Sequence, residues 1–286
     1  MTAIRPDTPH LIVLPAFNEE EQIGKLLEKL TGWRDHVLVV DDGSTDNTPE
    51  IIRMAGFRHR SHGSRKGLHA VYMTAERYAA EQGFTRIVSM DADGQHDPDF
   101  LDGFIQESFK DEMIIGNRFR HPETVPPSKL ASNLFAVLLF REKLNICLPD
   151  VACGFRSWPA GTVTAMKGEV NQERDFSAFG IIYHMIVSHS MAGKGFGHVE
   201  IPATYLPGQP LTTRATEIKG LLRSIPDFEK DNDIPGFLER LSHHHDFTLS
   251  LQGYHFIASP ATNDAWLFQT DTVKAIEFFR KAVNAK

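Results

Sequence analysis

Arg86-Ile87-Val88-Ser89-Met90-Asp91-Ala92-Asp93-Gly94-Gln95-His96-Asp97-Pro98 decides how this chain is read, because a short apolar strand runs straight into a polar turn bearing two closely spaced carboxylates. In an open α/β sheet, ligands bind in the crevice beyond the carboxyl ends of the strands. Hard oxygen donors at Asp91 and Asp93, backed by the amide of Gln95, suit a divalent cation that keeps waters and takes its remaining ligands from a substrate diphosphate. A sugar nucleotide is such a substrate. Two plainer readings compete. Asp and Gly are ordinary turn formers, and Asp-x-Asp-Gly also opens calcium loops. The calcium reading fails, since His96 stands where that loop needs glycine and Asp102 where it needs a bidentate glutamate.

Outward from this stretch the chain alternates strands and helices. Leu11-Ile12-Val13-Leu14 reads as a buried parallel strand. Asn18 then serves as a helix cap, with Glu19, Glu20 and Glu21 in the first turn and Ile23, Leu26, Leu27 and Leu30 at helical spacing. Val37-Leu38-Val39-Val40 is a second strand, ending in Asp41-Asp42-Gly43-Ser44-Thr45-Asp46, and Thr48-Pro49-Glu50 caps the next helix. Further elements are expected as a strand over 57–61, a helix over 68–82, a strand over 86–90, a helix over 98–109 and a strand over 113–115. This alternation predicts an α/β protein with a parallel, doubly wound sheet. Beyond Gly116 we expect helices over 130–144 and 175–192 and a strand over 198–205. Phe247 to Leu251 alternates like a half-buried strand, Trp266-Leu267-Phe268 is placed near it, and Thr272 to Val283 closes as a helix.

A chain of 286 residues with 41% hydrophobic content buries a sizeable core. Its 30 basic and 37 acidic residues give a net charge of −7, which argues against nucleic acid as a partner. Cys147 and Cys153 are its two cysteines, too few for a disulfide scaffold and consistent with a reducing compartment. The first ten residues lack the apolar run of a signal peptide, and the longest apolar stretch, Leu134 to Phe140, falls far short of the roughly 20 residues that cross a bilayer. The expected location is cytoplasmic, with peripheral contact at the inner face of the membrane.

Three motifs in order, Pro15-Ala16-Phe17-Asn18-Glu19-Glu20, Val39-Val40-Asp41-Asp42-Gly43-Ser44-Thr45-Asp46 and Met90 to Pro98, resemble family 2 glycosyltransferases of the A-type fold. The subgroup they are most similar to is the dolichol-phosphate and polyprenyl-phosphate mannosyl- or glucosyltransferases. Gln95-His96-x-Pro98, Lys66-Gly67-Leu68, Ile115-Gly116-Asn117-Arg118, Cys153-Gly154-Phe155-Arg156 and Val199-Glu200-Ile201-Pro202 extend the likeness, which covers about residues 9 to 222. The resemblance implies a Rossmann-like, mostly parallel sheet flanked by helices, in a domain taken as 1–224; the tail over 225–286 lies outside the likeness and is read from its own pattern as a small α+β extension.

The same resemblance implies that Pro15, Ala16, Phe17, Glu19 and Asp42 line the base and ribose pocket. Asp91, Ala92 and Asp93 then meet ribose and metal, with Asp91, Asp93 and Gln95 as ligands of Mg2+ or Mn2+. Lys66, Arg118 and Arg214 are expected at the donor diphosphate. Asp91, Asp93 and Arg118 are the expected catalytic group. The implied donor is a nucleotide-diphosphate sugar of the GDP-mannose or UDP-glucose type, and the acceptor a lipid phosphate at the membrane surface. Apart from the resemblance, the alternating Phe247, Leu249 and Leu251 after a composition shift near Asp227 to Asp233 lead us to expect the C-terminal segment to be a cover or the dimerisation element of a homodimer. Two departures stand out. Phe176 to Tyr183 lacks the acidic residue the family commonly has after Gly-Phe-Arg, and Thr213-Arg214 stands where the family has Ser-Lys. A glycosyltransferase with a soluble hydroxyl acceptor and an inactive nucleotide-sugar-binding module therefore remain as rival readings.

Three weaker features complete the reading. Gly193-Lys194-Gly195-Phe196-Gly197 leaves a helix and enters a strand, the reverse of a phosphate-cradling loop, and is read as a turn. His243-His244-His245 is read as a solvated helix end rather than a metal site, because adjacent residues do not converge on one centre. The apolar residues Leu134, Phe135, Val137, Leu138 and Phe140 fit either a core helix or a face dipping into a membrane interface.

Overall fold

The computed structural model describes residues 9–105, 112–121, 125–126, 129, 133, 136–137, 140, 144–166 and 180–205, together with the backbone of four strands between 213 and 269. From the N-terminus come β1 (His10–Ala16), α1 (Ile23–Lys29), a 3-10 turn (Thr31–His36), β2 (Val37–Asp41), α2 (Thr48–Ala55), β3 (Arg58–Ser61), α3 (Leu68–Gln82) and β4 (Arg86–Ser89). A second 3-10 turn (Pro98–Phe100) leads into α4 (Leu101–Phe104). β5 (Met113–Asn117), β6 (Arg156–Pro159), α5 (Thr162–Ala165), α6 (Gly180–Met191) and β7 (Phe196–Glu200) follow.

These strands form one seven-stranded sheet in the order β3-β2-β1-β4-β6-β5-β7. Leu11 to Leu14 and Val37 to Val40 are buried without exception, as befits parallel strands covered on both faces. β3 is the outer edge, and its residues Arg58 to Ser61 are polar and exposed, which keeps the edge from pairing with another chain. From β1 the chain lays β2 and β3 on one side, then crosses to set β4 on the other side of β1. The switch point therefore lies between β1 and β4, and the loops leaving their carboxyl ends share one crevice.

β6 departs from the expected pattern: it runs antiparallel between β4 and β5. Nothing in Arg156-Ser157-Trp158-Pro159 reads as a strand, and its neighbours make it one. The Trp158 ring packs against Tyr72 at 5.0 Å, while the buried Arg156 guanidinium donates to the carbonyls of Cys153, Val151 and Ile182. Glu76, inside α3, accepts from Trp158 Nε1 (3.3 Å) and from the Val163 and Thr164 amides (2.8 and 2.7 Å), so a buried carboxylate caps α5 from another helix.

Two expectations need correction. Asn18 is not a helix cap: its φ of 57° is left-handed, α1 begins only at Ile23, and Glu19, Glu20 and Glu21 lie before its first turn. Val137 and Phe140 do not form a membrane-facing stripe. They are helical and buried in the core (4% and 0% exposed), next to Asn133, whose amide donates to Pro149 O (3.0 Å). Leu134, Phe135 and Leu138 lie outside the described residues, as do the expected closing helix 272–283, the His243 to His245 run, and parts of the helices expected over 98–109 and 175–192.

The C-terminal region holds a second, antiparallel sheet in the order β8-β11-β10-β9, built from β8 (Thr213–Arg214), β9 (Phe247–Leu251), β10 (Tyr254–Ala261) and β11 (Ala265–Gln269). The strand expected at Phe247 is present, and Trp266 to Phe268 pair with β10 rather than with β9. β8 pairs with β11, so this sheet joins backbone from both sides of residue 224.

Candidate active site

The loops leaving β1 and β2 are sewn together by their own motif residues. Asn18 donates its amide to Ser44 Oγ (2.9 Å) and accepts Thr45 N–H at Oδ1 (2.8 Å). The Glu19 amide donates to Thr48 Oγ1 (2.8 Å), and the Glu20 amide to Asp46 (3.2 Å). Asp41 accepts from Ser44 N (3.0 Å) and the Ser61 hydroxyl (2.6 Å). Most of the Asp41 to Asp46 run is thus scaffold, satisfying backbone groups at the mouth of the crevice.

Asp42 has a more particular task. Its carboxylate accepts from the amides of Lys66 (2.9 Å) and Gly67 (2.7 Å) and pairs with His62 Nδ1 (2.7 Å), whose Nε2 meets Thr74 Oγ1 (3.1 Å). It thereby pins the loop before α3 beside the pocket. Gly43 completes the seam: at φ 80° it lies so close that a Cβ would sit 2.6 Å from the Ser64 carbonyl carbon. The same loop carries Arg65 over the Phe17 ring at 4.3 Å, a cation–π contact at the expected base pocket. Pro15 and Ala16 end β1 beside Val40 and Asp41 of β2, and the Lys66 side chain is exposed.

Across the switch point, β4 delivers Asp91 and Asp93. Both Asp93 oxygens accept from Gln95, one from its amide N–H (3.0 Å) and one from Nε2 (2.8 Å). The side-chain nitrogen of Gln95 thus faces Asp93 and orients that carboxylate. Ala92 is buried between the two aspartates (2% exposed). Asp91 leans on the opposite segment, where a Cβ on Gly154 would come within 2.3 Å of its carboxylate oxygen. Glycine at 154 is what makes room for that carboxylate.

The carboxyl groups at this turn share one crowded, poorly solvated patch. Burial raises the Asp91 carboxyl above the ordinary aspartate value, against the pull of Arg118 and Arg156. Asp93 is raised by burial and then by Asp91. Glu19 is pushed up to about 7 by burial, then by Asp93 and Asp91. Three carboxyl groups from two loops repel one another here. Among the described residues no cluster of three or more His, Cys, Asp or Glu side chains forms a full ligand set. Two carboxylates plus substrate phosphates is how Mg2+ is usually bound at phosphate sites, so the donor set fits such an ion.

On the far side, Arg118 follows β5. Its Nε and Nη2 bind both oxygens of the fully buried Asp150 carboxylate (2.7 and 3.1 Å). Burial works against the guanidinium charge, yet Asp150 holds its pKa well above the usual value. A fixed cation is therefore set close enough to act on Asp91. The site thus gathers Phe17, Glu19, Asp42, Asp91, Asp93, Gln95 and Arg118 along the carboxyl edge of one sheet. Arg214 lies in β8 opposite Ala265 of β11, and its side chain is outside the described residues. Sequence reasoning missed Asp150, His62 and Arg65. Only Arg65, beside Lys66, carried a signal, as part of a basic run next to a helix start.

The chain matches the sequence signature described as Glycosyl transferase family 2 over residues 11–160, which runs from the second residue of β1 through β6. It is 27% identical over 222 residues to polyprenol monophosphomannose synthase of Mycolicibacterium smegmatis, covering 71% of this chain and 79% of that one. It is 28% identical to undecaprenyl-phosphate mannosyltransferase of Micrococcus luteus, covering 68% and 83%. In three dimensions it is similar to glucosyl-3-phosphoglycerate synthase of Mycobacterium tuberculosis, solved with Mn2+, uridine diphosphate and phosphoglyceric acid. The TM-score is 0.55 at 16% identity, over 93% of this chain and 91% of that one. With a sheet of this order, a carboxylate pair at its switch point and the signature spanning both, the chain belongs to glycosyl transferase family 2 and has the A-type glycosyltransferase fold.

Proposed function

We propose that this enzyme is an inverting, divalent-metal-dependent transferase that moves a hexose from a nucleotide-diphosphate sugar to the phosphate of a polyprenyl lipid. The observation that carries the reading is the repelling trio Glu19, Asp91 and Asp93 at the mouth of the switch point, with both aspartates on one turn. Asp91 and Asp93 would hold Mg2+ or Mn2+, which when bound neutralises charge growing on the departing diphosphate. The loop pinned by Asp42 and the Phe17–Arg65 stack would bind the nucleoside end. Arg118, braced by Asp150, supplies positive charge on the side away from β1.

The choice of acceptor rests on the two mannosyl-transferring relatives and on one piece of chemistry. A phosphate is already ionised at neutral pH and needs no general base, whereas a hydroxyl acceptor does. The described helix α6, Gly180–Met191, carries no carboxylate that would serve as one. The soluble-acceptor reading draws on a different observation: Val137 and Phe140 fill the core, so those two side chains supply no membrane contact. For a lipid acceptor the enzyme would work at the inner face of the membrane, and no helix among the described residues is long and apolar enough to cross it.

A thermal-shift screen of GDP-mannose, UDP-glucose and UDP-N-acetylglucosamine, each with and without MnCl2, tests donor use. A ligand at 100 times its Kd stabilises by about 2.7 kcal/mol, so the right donor should raise Tm by about 5 °C or more with the metal and far less without it. No shift from any nucleotide sugar in either condition would remove the donor reading.

A further inference from the structure

We propose that His96 is a positioning residue for the metal-ligating turn, holding the Asp91 main chain in place through a ring nitrogen that accepts the Asp91 amide. The inference rests on the reading that Asp91 and Asp93 ligate a divalent cation. Its starting point is the end of a strand. Met90 N–H donates to Val13 O (3.1 Å), and after that rung the chain leaves the sheet. The Asp91 amide must then find another partner, since a buried N–H left unpaired is costly. That partner is His96 Nδ1, at 3.0 Å.

The donor and acceptor roles fix the tautomer. Nδ1 receives a hydrogen and so carries none, which places the ring hydrogen on Nε2, facing Cys153 Sγ at 3.9 Å. The side chain is 3% exposed, and its ring packs on Phe155 (centroids 5.2 Å apart), which stacks in turn on Phe104 of α4 (4.1 Å). One imidazole therefore ties the aspartate turn to α4 and to the Cys153 to Arg156 segment. Gln95 fixes the Asp93 carboxylate from within the turn, and His96 fixes the backbone at its start. Two like charges on so short a turn push apart, and the tether at Asp91 opposes that motion.

Outer-shell partners of metal ligands are commonly worth about 10- to 100-fold in metal affinity. His96→Phe keeps the ring packing and removes the acceptor; His96→Gln offers a carbonyl oxygen to the same amide. Calorimetry on the full chain would measure three quantities: the Mn2+ concentration giving half-maximal donor binding, the metal-free affinity for the matching nucleoside diphosphate, and Tm. His96→Phe should need about tenfold more Mn2+, with metal-free nucleotide affinity unchanged and His96→Gln closer to wild type. If the phenylalanine variant does not fold, His96→Leu repeats the comparison. An unchanged Mn2+ requirement, or a parallel loss of metal-free nucleotide binding, overturns the proposal. A wild-type enzyme whose donor binding ignores Mn2+ would instead overturn the reading of the carboxylate pair, and this inference with it.

Discussion

Asp93→Asn is expected to act in two opposite directions, raising the Tm of the metal-free enzyme while removing Mn2+-dependent donor binding. The first effect follows from its raised carboxyl, half-buried and acted on by Asp91. Below the ordinary aspartate pKa both folded and unfolded chains hold the proton, and Asp93 costs nothing. As pH rises through the raised native value, the unfolded chain ionises freely and the native site resists, so stability falls. Asparagine removes that penalty at neutral pH. The second effect follows because the same substitution takes a charged oxygen from the ion. Loss of a direct ligand should exceed the roughly 10- to 100-fold typical of outer-shell partners. Melting curves and donor titrations, each with and without MnCl2, check both halves. A variant with lowered metal-free Tm and intact metal-dependent affinity would show that Asp93 is a structural turn residue.

Gly154→Ala is expected to cost about 100-fold in metal-dependent donor affinity, although residue 154 touches no substrate in this account. The added methyl would sit 2.3 and 2.7 Å from the two Asp91 oxygens, closer than real Cβ contacts allow. Asp91 would have to swing its partly exposed carboxylate away from residue 154, out of the orientation in which it works with Asp93. A misplacement of about 1 Å in a reacting constellation commonly costs about 10²-fold, and overpacking a filled core adds about 1–3 kcal/mol of destabilisation. The cause is isolated by a double-mutant cycle. In an Asp91→Ala background Gly154→Ala should cost almost no further affinity, because the group it displaces is gone. Equal losses in both backgrounds would point to a general distortion of the 153–156 segment.

Those two residues mark how much of the site is legible in sequence. Asp91 and Asp93 announce themselves, since an apolar strand ending in paired carboxylates is a local pattern. Gly154 matters through a contact across 63 positions of chain, visible only once β4 and β6 are neighbours. Asp150 is similar: an aspartate after Leu148-Pro149 reads as a turn until Arg118 is found on it. In the fold, continuous apolar runs make β1, β2 and β4 readable. β6 is not, because its buried arginine is satisfied by carbonyls from distant segments. Periodicity placed the helix around Val137 and Phe140 correctly but could not say whether its apolar side met core or lipid, since both environments select the same residues. The Asp41 to Asp46 motif shows the converse. Its letters point to a binding loop, yet Asp41, Ser44, Thr45 and Asp46 chiefly tie two loops together so that Asp42 can hold a third.

Transfer of the sugar itself decides what the enzyme does. Wild-type enzyme, the donor found by thermal shift and MnCl2 would be incubated with a short-chain polyprenyl phosphate, and separately with simple alcohols and sugars. A sugar-phosphate lipid should form only with metal present and be lost in Asp93→Asn, with no comparable product from the hydroxyl compounds. Transfer to hydroxyl compounds alone, or none to any acceptor despite firm donor binding, would contradict the proposed function.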